Sequence, residues 1–168
     1  MTAIYKRELK SYFQSMTGYV LIAFLVIFTG IYFMAYNLNS GYPYFSYVLM
    51  NINYVLIIII PMLTMRSFAE ERRTRTDQLL LTSPVPVPGI VLGKFFALCV
   101  VFALPCVVDA VMILTLWALG ATAASTLANF AALLCYYLLG CAAIAIGVFL
   151  SSLTENQIIA AVSGVAAL

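Results

Sequence analysis

The sequence predicts an all-α polytopic membrane protein, a bundle of transmembrane helices whose N-terminus is cytoplasmic. Hydrophobic residues occupy 65% of the 168 positions and charged residues only 8%, whereas a soluble domain carries about 25% charged residues. The apolar residues are gathered into runs long enough to cross a bilayer, and all lysines and arginines fall on one predicted side. A water-soluble fold is therefore excluded, and a net charge of +2 gives nucleic acid little attraction.

Four segments reach the roughly 20 apolar residues that a helix needs to cross a hydrocarbon core of about 30 Å. They are residues 17–37, 46–65, 95–118 and 128–150. A fifth apolar stretch covers residues 157–168, and at 1.5 Å per residue it reaches only about 18 Å. We therefore expect residues 1–168 to form a single transmembrane domain whose chain is truncated in its fifth span.

The positive charges predict the orientation of the spans. One group precedes the first span and the other lies between the second and third: Lys6, Arg7 and Lys10, then Arg66, Arg72, Arg73, Arg75 and Lys94. An even number of spans separates the groups, so both lie on one side. The loops expected on the other side, about 38–45 and 119–127, carry no lysine or arginine. Residues 66–94 are therefore predicted to be a cytoplasmic loop.

Residues 3–14 predict a short amphipathic helix that lies in the inner membrane interface. Tyr5, Leu9, Tyr12 and Phe13 follow a spacing of i, i+4, i+7 and i+8, which places them on one helical face. The three basic residues fall elsewhere around the turn. The alternative is an ordinary basic tail next to the first span.

Half of the charged residues lie in residues 67–94. Glu70 and Arg73 are spaced to pair on a helix in water, and an apolar tip of leucines follows. Pro84, Pro86 and Pro88 are expected to stop any helix and force an extended course, until Lys94 marks the membrane entry. A plain connection needs fewer residues, so this segment is interpreted as a docking element for a cytoplasmic partner. The alternative is a solvated loop whose leucines rest on the membrane.

The stretch FAEERRTRTDQLLLTSPVPVPGIVLGKF (68–95) resembles the cytoplasmic loop of ABC-2 type transporter permeases. In that family F-x-x-E-x-x-x-x-T-x-x-L-L-x-x-[ST]-P-V precedes G-K at the third span. The matching residues are Phe68, Glu71, Thr76, Leu79, Leu80, Ser83, Pro84, Val85, Gly93 and Lys94. Residues 4–20 and 149–161 also resemble family segments, so the similarity covers nearly the whole chain and is nearest to the gliding-motility-type permeases.

The resemblance implies the membrane-spanning permease subunit of an ATP-binding-cassette transporter, usually an exporter, in a bacterial plasma membrane. Such a subunit is not an enzyme and holds no cofactor, because a separate ATP-binding subunit binds and hydrolyses ATP. Two permease subunits pair, as a homodimer or heterodimer, within the membrane lipid. The coupling helix would be about 68–82. The residues that the resemblance assigns to ATPase coupling are Phe68, Glu70, Glu71, Arg72, Thr76, Leu79, Leu80, Ser83 and Pro84.

Asp109 lies near the middle of the third predicted span. A carboxylate at that depth costs about 2.5–3.5 kcal/mol on insertion scales, so we expect it to face the bundle or a wet cavity. It either lines the substrate path or makes a helix–helix hydrogen bond, for example to Asn53. If Asp109 carried ion coupling, the protein would be an ATP-independent secondary transporter. A membrane scaffold that recruits a cytoplasmic partner is the other alternative.

The sequence offers no convincing catalytic or metal site. It contains no histidine, and the four cysteines lie in apolar segments without the spacing of a zinc site. GIVLGK (89–94) lacks the spacing of a phosphate-binding loop. Glu70, Glu71 and Arg75 resemble the first motif of a class of membrane proteases, which also needs histidines.

Small residues predict close helix packing in the last two apolar segments. Gly140, Ala143 and Gly147 share one face of the fourth span, and Ala160 and Gly164 share one face of the fifth segment. The sequence leaves open whether these faces pack inside one subunit or between two.

Overall fold

The computed structural model describes residues 2–14, 16–73, 87–154 and 156–168, and within them the side chains of residues 5–14, 18–65, 88–154 and 156–168. All regular secondary structure in this part of the chain is helical. The helices are α1 (Thr2–Gln14), α2 (Met16–Phe33), α3 (Ser46–Arg73), α4 (Val87–Ala118), α5 (Ala123–Leu153) and α6 (Gln157–Ala167). A π-helical segment, Met34–Asn39, extends α2.

Four helices in the described residues are long and apolar enough to cross a membrane. Their apolar ranges are Gly18–Asn39, Ser46–Met65, Pro88–Ala118 and Ala123–Leu153. Each one contains or nearly contains one of the four predicted spans, and the shorter apolar helix Gln157–Ala167 covers the fifth stretch. The chain is therefore a multi-pass membrane protein with an all-α transmembrane bundle.

The third spanning helix begins earlier than the sequence predicted. We expected an extended course through Pro88 and a span starting at Phe95, but α4 is already helical from Val87. The expectation for Pro88 was wrong because a proline in the first turn of a helix is tolerated. Its missing N–H would have no partner within the helix at that position.

The second spanning helix continues without a break into the charged segment. α3 runs from Ser46 to Arg73, although its apolar part ends at Met65. The last residues of α3 therefore extend the spanning helix instead of forming a separate helix in water.

The spanning helices form a four-cornered bundle. α2 and α5 occupy opposite corners, and each packs against both α3 and α4. α6 packs against α3 and α5, whereas α1 packs against α4 and α2. The core stripe of α3 includes Ile52, Leu56 and Ile60, each 1% exposed, and their i+4 spacing keeps them on one helical face.

The small-residue faces pack inside the subunit. A Cβ at Gly140 would overlap the ring of Phe102 on α4, and one at Gly147 would overlap the hydroxyl of Thr64 on α3. A Cβ at Gly164 would lie 2.9 Å from a side-chain carbon of Pro61. These glycines let α5 and α6 approach their neighbours closely, as small residues do in membrane bundles.

Candidate functional site

The predicted coupling residues divide into two groups. Phe68, Glu70, Glu71 and Arg72 lie on the last turns of α3, where the backbone is helical, but their side chains fall outside the described residues. Thr76, Leu79, Leu80, Ser83 and Pro84 lie in residues 74–86, which also fall outside that part of the chain. The roles given to these residues stay predictions.

A buried ion pair joins the first turns of α4 to α1. Lys94, two turns into α4, places its Nζ 3.0 Å from Oε1 of Glu8 on α1. The Lys94 side chain is 1% exposed and the Glu8 side chain 11%. Taking two charges out of water is costly unless they pair closely, so this contact holds α1 against the start of α4.

Two further polar side chains reach the end of the apolar part of α3. The Tyr12 hydroxyl on α1 donates to the carbonyl oxygen of Leu63 at 3.5 Å. The Ser151 hydroxyl on α5 donates to the carbonyl oxygen of Met65 at 3.4 Å, and Ser151 is fully buried. We call Glu8, Tyr12, Lys94 and Ser151 the loop-base cluster, because their contacts lie at the end of the bundle where the apolar part of α3 ends and α4 begins.

Sequence reasoning assigned no role to Glu8. Helical spacing nevertheless indicates that Glu8 is close to the buried face. It lies three residues after Tyr5 and four before Tyr12, on the edge of the predicted apolar stripe. An acid on the buried face of an amphipathic helix needs a partner. The expected stripe itself is only half-buried, because Tyr5, Leu9, Tyr12 and Phe13 are all intermediate in exposure while Glu8 is buried.

Asp109 lies inside the bundle and is 2% exposed. Its carboxyl group lies near Thr29 on α2, whose hydroxyl donates a hydrogen bond to the carbonyl oxygen of Leu25 at 2.9 Å. Oδ1 of Asp109 and Oδ1 of Asn53 are both buried without a hydrogen-bond partner among the described residues. Asp109 therefore has Thr29 of α2 as a polar neighbour, and the hydrogen bond to Asn53 that the sequence suggested is not formed.

An open apolar groove lies between α4 and α5. Its cavity volume is about 330 Å³, and its lining includes Cys106, Val107, Phe130 and Tyr137. The Tyr137 hydroxyl is turned toward the carbonyl oxygen of Cys99 at 3.4 Å. The groove therefore offers a surface of hydrocarbon character and no charged group.

The opposite end of the bundle is held by buried asparagines. Asn129 on α5 is 1% exposed; its Oδ1 accepts the Phe45 N–H at 2.8 Å and its Nδ2 donates to the Pro43 carbonyl at 2.9 Å. Nδ2 of Asn37 donates to the Tyr42 carbonyl at 2.6 Å. Residues 40–45 are thus fixed to the bundle through their backbone, a feature that side-chain patterns in the sequence did not show.

The described residues bring no three histidine, cysteine, aspartate or glutamate side chains together as a possible metal site. Cys99 and Cys106 are buried, Cys141 is partly buried, and Cys135 is exposed on the surface of the bundle.

A comparison with protein families matches residues 2–168 to the family described as ABC-2 family transporter protein. The chain belongs to this family. Searches of curated proteins and of solved structures gave no match. The family match spans the bundle, the loop-base cluster and the charged segment together, so membership rests on the whole chain and not on one motif. The family assigns the protein to the membrane part of a transport system.

Proposed function

We propose that the protein is the permease subunit of an ATP-binding-cassette exporter, driven by ATP hydrolysis in a separate subunit that docks on residues 66–94. The observation that carries the proposal is the match to the ABC-2 transporter family along the whole bundle. The chain supplies spanning helices, and the segment between the second and third spans holds the largest group of charged residues in the sequence. ATP therefore belongs to the partner subunit.

The continuity of α3 supports this use of the segment. Its helical extension beyond Met65 reaches Arg73, so an ATPase that moves the extension would act on the second span through a backbone that stays helical past Pro61. The helix α4 returns from Val87, which shortens the irregular part of the connection. Both ends of the docking segment are thus helical and lead directly into the bundle.

The finer assignments are part of the same proposal. The basic residues favour a cytoplasmic N-terminus and a cytoplasmic segment 66–94. The resemblance of the 68–95 stretch favours the gliding-motility-type subfamily, a bacterial plasma membrane, and a second permease subunit paired as a homo- or heterodimer. The apolar groove between α4 and α5 faces outward and is compatible with surrounding lipid.

The test is a pull-down from the native membrane. The tagged chain is solubilised gently, and co-purifying proteins are identified for the wild type and for a variant with Glu71→Ala, Leu79→Ala and Leu80→Ala. The matched control carries Leu119→Ala and Leu127→Ala, which lie at the opposite end of the bundle and are 70% and 73% exposed. All samples are first checked for equal membrane insertion.

We expect an ATP-binding subunit with the wild type and the control, and much less of it with the triple variant. If inserted wild-type protein brings down no ATPase, the exporter proposal fails. Dependence of transport on an ion gradient, and its loss in Asp109→Asn, would then support the secondary transporter instead. Capture of a cytoplasmic protein without ATPase motifs would support the scaffold.

A further inference from the structure

One side of helix α1 is basic and exposed. Lys6, Arg7 and Lys10 are all exposed. Lys10 lies four residues after Lys6 and three after Arg7, so the three side chains share one side of the helix. The only acidic residue of α1, Glu8, is buried and pairs with Lys94. Glu8 therefore does not offset the exposed charges, and this side of α1 presents three positive charges to an anionic partner.

The fold holds this basic side next to the beginning of the first span. The opposite side of α1, which carries Glu8 and Tyr12, contacts the bundle, and a single residue separates Gln14 from Met16. Long basic side chains beside a span extend toward the headgroup region and attract anionic lipids there. The phosphate of an anionic lipid therefore matches the basic side both in charge and in its position along the membrane normal.

An apolar track on α2 continues from the end of α1 into the membrane. The rings of Phe13 and Tyr19 meet edge to face with their centroids 6.1 Å apart, and Tyr19 is 55% exposed. The exposed apolar side chains that follow on one face of α2 are Val20, Phe24, Ile27 and Ile31. From Val20 to Ile31 the helix rises about 16 Å, and one leaflet is about half of a hydrocarbon core of about 30 Å. The track therefore has the length of one leaflet.

We propose that the basic side of α1 and the apolar track of α2 form a binding site for one anionic phospholipid of the leaflet next to α1. Lys6, Arg7 and Lys10 hold the phosphate. The glycerol region lies beside Phe13 and Tyr19, whose rings suit the membrane interface, and an acyl chain follows the track. A protein docked from the water would use the basic side but not a track of leaflet length, so the two features together favour a lipid. The site does not depend on the proposed ATPase.

The test measures lipid binding beside Tyr19 by fluorescence quenching. The full chain contains one tryptophan, Trp117, so Tyr19→Trp with Trp117→Phe gives a single probe at position 19. The protein is reconstituted in phosphatidylcholine bilayers that contain increasing fractions of phosphatidylglycerol or phosphatidylcholine with brominated acyl chains. The two quenching curves give the relative affinity of the site for the two lipids. Quenching of Trp117 in the unsubstituted chain is the reference, because the loops expected at that end carry no lysine or arginine.

Two triple variants carry the same probe at position 19. The neutral variant has Lys6→Gln, Arg7→Gln and Lys10→Gln. The matched control has Lys6→Arg, Arg7→Lys and Lys10→Arg, which keeps all three charges. All samples are first checked for equal membrane insertion.

We expect phosphatidylglycerol to bind beside position 19 at least about tenfold more tightly than phosphatidylcholine, because each basic residue near the membrane surface contributes a factor of about five toward anionic lipid. The charge-retaining control should keep this preference and the neutral variant should lose most of it, whereas Trp117 should be quenched equally by both lipids. Equal quenching by the two lipids at position 19, or a preference that survives in the neutral variant, overturns the inference. If the neutral variant does not insert, high salt replaces it: salt screens the three exposed charges, so a preference that high salt leaves unchanged overturns the inference and a preference that it abolishes supports it.

Discussion

The contact between α3 and α5 at Gly147 can be tested by adding one methyl group. In Gly147→Ala the new Cβ would overlap the Thr64 hydroxyl and lie 3.0 Å from Cβ and Cγ2 of Thr64. Thr64 is 1% exposed, and its hydroxyl is held by the carbonyl oxygen of Ile60 at 3.0 Å, so it has little room to move. Overpacking of this kind costs about 1–3 kcal/mol, offset by a gain of up to about 1 kcal/mol in helix propensity.

We therefore expect Gly147→Ala to lower the free energy of unfolding by about 1–2 kcal/mol. The assay is reversible unfolding in mixed micelles with a denaturing detergent. The matched control is Gly30→Ala on α2, where the nearest atom to the new Cβ is the flexible end of Met112 at 4.0 Å. This control should be neutral or slightly stabilising. Truncation of the neighbour by Thr64→Gly should restore part of the loss in the double variant. Equal stability of Gly147→Ala and Gly30→Ala would refute the close approach of α3 and α5.

Three further predictions follow from the buried polar and small residues. Asn129→Ala should destabilise the bundle by about 1–3 kcal/mol and speed chymotrypsin cleavage in residues 40–45, because the Phe45 N–H loses its acceptor; unchanged cleavage would contradict this anchoring. Asp109→Asn should raise the free energy of unfolding by on the order of 1 kcal/mol, because the amide cannot ionise at a buried position where Oδ1 has no hydrogen-bond partner among the described residues; a loss of stability would show that the carboxyl group is well satisfied. Gly140→Ala should reduce stability unless Phe102→Leu is also introduced, and unfolding measurements on the single and double variants check this coupling.

The loop-base cluster illustrates why some contacts escape sequence reasoning. Lys94 was recognised as the residue at a membrane entry, a role that depends only on its position beside an apolar run. Its pairing with Glu8 joins residues 86 positions apart, and nothing in the local pattern of either residue specifies the other. The buried position of Glu8 could be inferred from helical spacing, whereas the identity of its partner required the packing of α1 on α4.

The spans were predictable from the sequence because the free energy of placing a helix in a bilayer is a sum over its own residues. The hydrophobicity of each residue and its position along the helix also predicted that α1 is amphipathic and that Asp109 turns inward. The predicted start of α4 was less accurate, as Pro88 shows, because a proline is compatible with the first turn of a helix as well as with an extended chain.

The tertiary structure alone decided which surfaces meet. Gly140 and Gly147 face Phe102 and Thr64 of the same subunit, although their small-residue pattern fits an interface between subunits equally well. Asp109 has Thr29 as a neighbour and makes no hydrogen bond to Asn53, since α2 packs against both α3 and α4. Hydrophobicity determines that each spanning helix enters the membrane, but it is nearly the same around each of these helices, so only the fit of individual side chains determines the neighbours.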